Sequence, residues 1–304
     1  MKLRQPLILS GLLLSACATT SADRTYLPQD SRAPASAKAP PTDNVPTAEM
    51  PEYTPPTPMQ AALSHPGRSQ AERARDVYRN PNETLAFFGV DPDDAVLELW
   101  SGRGWYTHIL APYLAESGEL HTTAYPLSSE KAYRREMTKD MVIYLNEYGY
   151  DDVGLVIVDT EDLQLGMDAR VDVVLTFRNI HNWVKGGYDA QVYAQSYAAL
   201  KPGGVFGVVE HRGPDEMTRE QSSETGYMSQ AQVIADIEAA GFRFIEASEI
   251  NANPKDTKDH PEGVWTLPPS LDLGDVDRDR YLAIGESDRM TLKFIKPEDA
   301  DAPE

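Results

Sequence analysis

Two short stretches carry side chains able to move protons. Thr176-Phe177-Arg178-Asn179-Ile180-His181-Asn182-Trp183 follows one apolar run, and Glu210-His211-Arg212 follows another. Histidine titrates near neutral pH, so His181 and His211, with Glu210 and Asn179 beside them, read as a general-base set that readies a substrate oxygen or nitrogen as a nucleophile. Two histidines and a glutamate also raise a metal site. Their spacing matches no strong metal motif, and no resident metal is expected. The same residues could instead form a hydrogen-bonded network that ties loops to a sheet.

A second chemistry-bearing stretch is Glu98-Leu99-Trp100-Ser101-Gly102-Arg103-Gly104. It follows the apolar run Ala95-Val96-Leu97 and precedes Tyr106, Ile109, Leu110, Tyr113 and Leu114, which recur at helical spacing. Strand, glycine turn and helix form a unit that can cradle a nucleotide, because glycine lets the backbone approach a ligand and the helix start presents unpaired N–H groups. A tight βα turn without a ligand would look the same. Trp105 and Tyr106 read equally well as site walls or as aromatic core. Asp159-Thr160-Glu161-Asp162 follows a later apolar run, and Asp162 reads either as a ligand contact or as a helix N-cap.

The elements that must position these residues alternate along the chain. Strands are expected at Ala95 to Leu99, Glu119 to Ala124, Gly154 to Val158, Val171 to Phe177, Val205 to Val209, Phe242 to Ala247 and Met290 to Ile295. Helices are expected at Gly104 to Ala115 (kinked at Pro112), Ser129 to Tyr148, Tyr188 to Leu200 and Ser229 to Ala240. The long helix should present Tyr133, Met137, Met141, Tyr144 and Tyr148 on one face, and Lys201-Pro202-Gly203-Gly204 should stop the helix before the fifth strand. Such alternation predicts a parallel sheet with helices on both faces. Before it, Met59 to Val90 reads as a helical cap. Ser69 caps a helix carrying Ala71, Ala74, Val77 and Tyr78, and Arg73, Arg75, Asp76 and Arg79 read as its solvated face. The connection from Ser248 to Arg289 is long enough to be functional. It is expected to wall the substrate side, with Asn251, Asn253, Lys255 and Arg289 facing the cleft.

The turn Glu98-x-Trp100-x-Gly102-x-Gly104 resembles motif I of the class I S-adenosylmethionine-dependent methyltransferases, and more closely a group of predicted methyltransferases sharing ELWxGxGWYTxILAPYL. With LKPGG ahead of the fifth strand, the resemblance extends from about Met59 to Pro297. It implies an α/β, Rossmann-like class I methyltransferase fold: a seven-stranded, mostly parallel sheet with an antiparallel last strand, helices on both faces and an N-terminal helical cap. It also implies S-adenosylmethionine as cofactor. By that resemblance Glu98 orients the pocket, and Gly102 and Gly104 approach the methionine part, so that a side chain at Gly102 should clash. Trp100, Trp105, Thr123, Tyr125, Asp162 and Arg178 complete the cofactor set. Two departures stand out. The family has glycine where Trp100 sits, and a Trp does not take φ > 0 cheaply, so the turn should be drawn differently. The family also has a ribose-binding acid after the second strand, where this chain reads Leu120-His121-Thr122-Thr123-Ala124-Tyr125. Thr123 or Tyr125 would have to replace it with single hydrogen bonds.

The 304 residues carry a net charge of -20, which disfavours nucleic-acid partners and leaves a small-molecule substrate as the expectation. Lys2 and Arg4, the apolar run Leu7 to Leu14 and then Leu14-Ser15-Ala16-Cys17 resemble a lipoprotein signal peptide with its lipobox, although cleavage after Ala18 is an alternative. The organisation expected is a signal peptide over 1–17 with lipidation at Cys17, a disordered Pro/Ala-rich linker over 18–58, the cap over 59–94, a methyltransferase-like domain over 95–297 and an acidic tail over 298–304. Membrane contact would then be through the lipid alone, on an exported protein of the bacterial cell envelope, at the periplasmic face of the outer membrane. Three functions follow: a methyltransferase, a non-catalytic ligand-binding module that keeps the fold, or a different small-molecule enzyme reusing the pocket.

Overall fold

A computed structural model describes residues 55–298. Cys17, the expected signal peptide, most of the expected linker and residues 299–304 lie outside them. The cap comprises α1 (Pro58–Leu63), α2 (Gln70–Arg73), α3 (Asp76–Arg79) and α4 (Pro81–Phe88). The body then runs β1 (Ala95–Leu99), α5 (Thr107–Leu114), β2 (Glu119–Ala124), α6 (Ala132–Tyr148), β3 (Gly154–Ile157) and β4 (Val171–Phe177). It continues through α7 (Ile180–Gly186), α8 (Asp189–Ala199), β5 (Leu200–His211), α9 (Arg219–Thr225), α10 (Gln230–Glu238), β6 (Arg243–Ser248), a 3-10 turn (Gly263–Thr266), α11 (Arg278–Ile284) and β7 (Arg289–Ile295).

The strands form one sheet in the order β3-β2-β1-β4-β5-β7-β6. All pairs are parallel except those of β7, which runs antiparallel to β5 and β6. From β1 the chain winds outward through β2 and β3, then returns to place β4 on the other side of β1. That reversal opens a crevice over the carboxyl ends of β1 and β4. Both faces of the sheet are covered, because alternate strand residues enter opposite cores. Leu97, Leu99 and Val174 pack with Trp183 and Tyr193 on one side. Val96, Val173, Leu175 and Phe177 pack with Leu85, Phe88 and Ile109 on the other.

Several boundaries differ from expectation. The helix carrying Tyr133 begins at Ala132, and Tyr133 is exposed, so the buried face is Thr138, Met141, Tyr144 and Leu145. LKPGG does not merely stop a helix: β5 runs through it from Leu200, with Gly203 at φ 78° and a register shift opposite Val171 and Val173. A Cβ at Gly204 would press into the Asp172 and Lys201 carbonyls, so glycine permits the close strand approach there. The polar cluster after β4 is itself a helix, α7, and α9 was not anticipated.

The cap differs most. Ser69 does cap a helix, through a capping box with Glu72, but the helix ends at Arg73 and a second begins at Asp76. Val77 and Tyr78 are exposed, and the charged residues turn inward. Arg79 is 2% exposed, and Arg68, completely buried, forms a bidentate pair with Asp76. Of the expected solvated face Arg73 is exposed, but Asp76 pairs with Arg68 within the cap, and Arg75 and Arg79 pair with Glu286 of the body.

Candidate active site

The crevice holds a cavity of about 540 Å³. Its floor is the β1 turn (Trp100, Ser101, Gly102) and the β4 turn (Phe177, Arg178, Asn179). One wall is the cap, through Arg75 and Arg79, with Trp105 from the segment between β1 and α5. The other is the long connection, through Trp265 and Pro268. A second hollow of about 440 Å³ continues past Trp100, Gly102 and Asn179 to Tyr125, Arg134, Trp183 and Tyr188. Both volumes fall within the range of small-ligand sites.

Trp100 divides the two. Its φ is 45°, so it does adopt the left-handed conformation that its side chain disfavours. Two contacts hold it there. Its backbone N–H donates to Thr123 Oγ1 at 2.6 Å, and its indole packs on Trp183 and Tyr188, with ring centroids 5.1 and 6.3 Å away. The indole does not plug the crevice. It does leave only about 20 Å³ directly over the ends of β1 and β2, among Thr123, Tyr125, Met137 and Met141. Thr123 is thus engaged with the turn itself, while Tyr125 borders the second hollow.

Gly102 has φ 64°, and a Cβ built on it would meet nothing nearer than Met137 Cε at 3.8 Å. No protein atom would clash there, so the clash expected of a side chain at Gly102 is one with a ligand. Glycine is required by the backbone angle, and the space above it is open to a ligand. Gly104, at φ 81°, faces His108 and Met141 rather than the cavity. Glu98 is also beneath the site, 1% exposed, where it accepts a hydrogen bond from Thr107 Oγ1. Burial pushes its carboxyl up to about 7, against the opposing hydrogen bond. It anchors the start of α5 and does not line the cavity. Asp162 is exposed and borders a separate depression with Gln191 and Gln195, and no helix follows for it to cap. Neither expectation for Asp162 matches its position.

The structure divides the two aromatics that follow Gly104. Trp105 lines the cavity beneath the Arg79 guanidinium, which lies 4.5 Å from its ring centroid. Tyr106 is core, stacked on Phe177 at 3.5 Å.

The proton-handling residues do meet. Glu210, completely buried, accepts backbone N–H bonds from Ile180, His181 and His211 and a fourth bond from His181 Nδ1 at 3.1 Å. That network assigns the proton of His181 to Nδ1, leaving Nε2 to accept from Asn182 Nδ2 at 3.0 Å. His211 lies 5.3 Å from the His181 ring and contacts Ser287 Oγ through Nδ1. Burial, then the neighbouring His181, Arg178 and Arg289, drive its pKa well below the usual histidine value. Asn179 donates from Nδ2 to Leu99 O and to Thr176 Oγ1, so it ties the end of β1 to the end of β4. Among the described residues, His181, Glu210 and His211 are also the cluster whose ligand atoms could converge on an ion. Both Glu210 oxygens, however, are already occupied by donors from the protein.

The long connection walls the cavity, but through residues other than those expected. Of Asn251, Asn253, Lys255 and Arg289, only Arg289 lines it. Asn251 bonds Thr84 and Thr291, Asn253 bonds the carbonyls of Ile284 and Glu286, and Lys255 lies at the surface. Sequence reasoning missed Arg75, Arg79, Trp265 and Asn182. Nothing in the spacing of the cap arginines marks them as inward-facing.

No family model and no curated protein matches the chain. Solved structures do. An S-adenosylmethionine-dependent methyltransferase from Aquifex aeolicus aligns over 73% of this chain and 93% of its own, at 14% identity and a TM-score of 0.50. The chain has the class I methyltransferase fold. The [4+2]-cyclase SpnF aligns over 77% of this chain and 86% of its own, at 17% identity and a TM-score of 0.52. A proposed sarcosine dimethylglycine methyltransferase from Galdieria sulphuraria aligns over 75% and 87%, at 14% identity and a TM-score of 0.51. At these identities the likeness concerns the fold, and one fold hosts different chemistries.

Proposed function

We propose that the chain is an S-adenosylmethionine-dependent methyltransferase acting on a small molecule. The observation that carries this reading is the open crevice above Gly102, at the carboxyl edge of a class I sheet, leading to two buried histidines. The residues present fit the cofactor in one specific way: the bare backbone at Gly102 leaves room on its ligand side, and aromatic rings of Trp100, Tyr125 and Tyr188 border the adjoining hollow. When bound, S-adenosylmethionine supplies an electrophilic methyl group on sulfur.

The chain's own contributions are position and proton handling. Asn179 holds the two strand ends at a set separation, which keeps the crevice geometry rigid. Glu210 orients His181 through Nδ1, as a carboxylate orients a catalytic imidazole. His211, held neutral, can take a proton from an acceptor O–H or N–H without first losing one of its own.

Calorimetric titration of the purified protein with S-adenosylmethionine and with its demethylated product tests the reading. Both should bind, and Gly102→Val should weaken binding by about a hundredfold or more, roughly 3 kcal/mol, while the far-ultraviolet circular dichroism stays unchanged. Failure of both nucleotides to bind at millimolar concentration would remove the proposal.

A non-catalytic binding module is the second reading. It is favoured by the lack of a carboxylate at the end of β2 and by the narrow space Trp100 leaves there. Nucleotide binding without methyl transfer to any component of a small-molecule extract would support it. Export and lipid anchoring rest on Leu14-Ser15-Ala16-Cys17. Fatty-acid labelling that is equal in Cys17→Ser and in the parent protein would refute the anchor.

A further inference from the structure

The cap side of the cavity concentrates positive charge that the fold does not use up. Arg75 precedes α3, Arg79 ends it, Arg178 follows β4 and Arg289 opens β7, and all four line the same cavity. One carboxylate serves three of them. Glu286 accepts from Arg75 Nε at 2.6 Å, from Arg79 Nε at 3.2 Å and from Arg289 Nη2. The arginines hold its carboxyl well below the ordinary range despite burial. Arg178 makes no side-chain ion pair or hydrogen bond among the described residues. It sits at φ 61°, a conformation that aims it into the crevice at a cost in backbone strain. Glu72 also borders the cavity, but His108 and the Ser69 N–H already bond its carboxylate.

A purely structural role accounts for part of this set. Glu286 with one or two arginines would pin the cap to β7. Four guanidiniums around one carboxylate exceed that need, in a chain whose net charge is -20. Donors are also left over. Arg75 Nη2, Arg79 Nη2 and Arg289 Nε are buried with no partner, and Arg79 and Arg289 are each only 2% exposed. Buried donors without acceptors are rare in folded proteins and point to a ligand or ordered water. Burial lowers the pKa of Arg178 to about 10, and the like charge of Arg289 adds to the effect. A bound anion would relieve both. Guanidinium groups in forked array match the oxygens of carboxylate and phosphate.

We propose that Arg75, Arg79, Arg178 and Arg289 form the anion-binding subsite of this enzyme, and that its methyl acceptor carries a carboxylate or phosphate group. That the anion belongs to a methyl acceptor rests on the methyltransferase reading above; the anion subsite does not. The opposite wall, Val264, Trp265, Pro268 and Pro269, is apolar, so the rest of the acceptor contacts a largely apolar surface. The anion then lies on the side of the cavity that also contains His211, whose deprotonated state the arginines favour.

The test is calorimetric titration of the purified full chain with inorganic phosphate and, separately, with malonate, each with and without saturating S-adenosylhomocysteine. At least one anion should bind in the millimolar range or tighter. Arg178→Gln should weaken it by about tenfold, and Arg103→Gln, which alters an exposed arginine at the cavity rim, by less than about twofold. Arg178 supports no other side chain, so its replacement should leave the melting temperature unchanged. Saturating S-adenosylhomocysteine should leave anion affinity within about twofold of its value without nucleotide. No binding of either anion at about 50 mM, or equal affinity in Arg178→Gln, overturns the subsite. Displacement of the anion by S-adenosylhomocysteine, with nucleotide affinity also lost in Arg178→Gln, assigns the arginines to the nucleotide's own carboxylate and overturns the acceptor assignment. Anion binding that depends on Arg178, in a protein that binds no nucleotide, upholds the subsite and removes the methyltransferase reading instead.

Discussion

The two flanks of Trp100 are built by opposite means. On the β2 flank, local sequence does most of the work: the glycine turn, the Thr123 hydroxyl and the Glu98 carboxyl all lie within a short span of chain, and their polar atoms are consumed in holding the turn. The space directly over those strand ends is about 20 Å³. On the cap flank, Arg75, Arg79, Arg178, His211 and Arg289 come from four distant stretches of the chain and surround about 540 Å³. Here the polar atoms are in surplus. Trp100 Nε1 and Thr122 Oγ1 on the β2 flank are also buried without a partner, but the unspent charged donors gather on the cap flank, and that is where an anion is recognised.

Replacing residues on each side sharpens that contrast. The largest stability effect should come from Glu286→Gln. It removes the carboxylate that serves three arginines, and breaking such a buried pair costs about 3–5 kcal/mol. For a domain of this size that lowers the melting temperature by roughly 10 °C, readable by calorimetry. An unchanged melting temperature would show that the cap is held by something else. Adding phosphate should recover part of the loss if the arginines can take an anion in its place.

The β2 flank should respond through pH. The Glu98 carboxyl is raised from 4.5 to about 7 in the fold, so the native state binds a proton more tightly than the unfolded chain. Its contribution is complete below the unfolded value and is lost as pH rises through about 7, a change of about 3 kcal/mol. Denaturant titrations of Glu98→Gln should therefore lose less stability between pH 5 and pH 8 than the parent protein. Equal slopes would contradict the burial assigned to Glu98. A smaller effect, about 1–3 kcal/mol, is expected for Thr123→Val, which leaves the Trp100 N–H without its acceptor at nearly constant side-chain volume. If that variant binds nucleotide as the parent does, the turn keeps its shape through the packing of Trp100 on Trp183 and Tyr188.

How much of this was legible beforehand depends on the range of the interactions. The strands from Ala95 to Leu99 and Val171 to Phe177 match the sheet because burial on both faces leaves near-continuous apolar runs, whereas Glu119 to Ala124 matches it with a largely polar sequence. His181 and His211 could be paired in advance, since residues at the carboxyl ends of adjacent parallel strands must converge. The positive φ of Trp100 could not be. A local rule argues against it, and the Thr123 hydroxyl and the distant rings of Trp183 and Tyr188 hold it in place. Asp162 failed for the complementary reason: its segment follows a short edge strand, β3, and forms no helix that would turn it toward the crevice.

What the sequence alone determined was therefore the alternating α/β architecture, the glycine turn at the carboxyl edge and the histidine pair, all consequences of periodicity and of contacts between neighbouring elements. What only the tertiary structure decided was the charge of the cavity. Arg75 and Arg79 occupy helix positions that read as solvent-facing, and their partner Glu286 lies more than two hundred residues away. A charged side chain turns inward only when a remote opposite charge offsets its desolvation, and no local pattern records where that charge is.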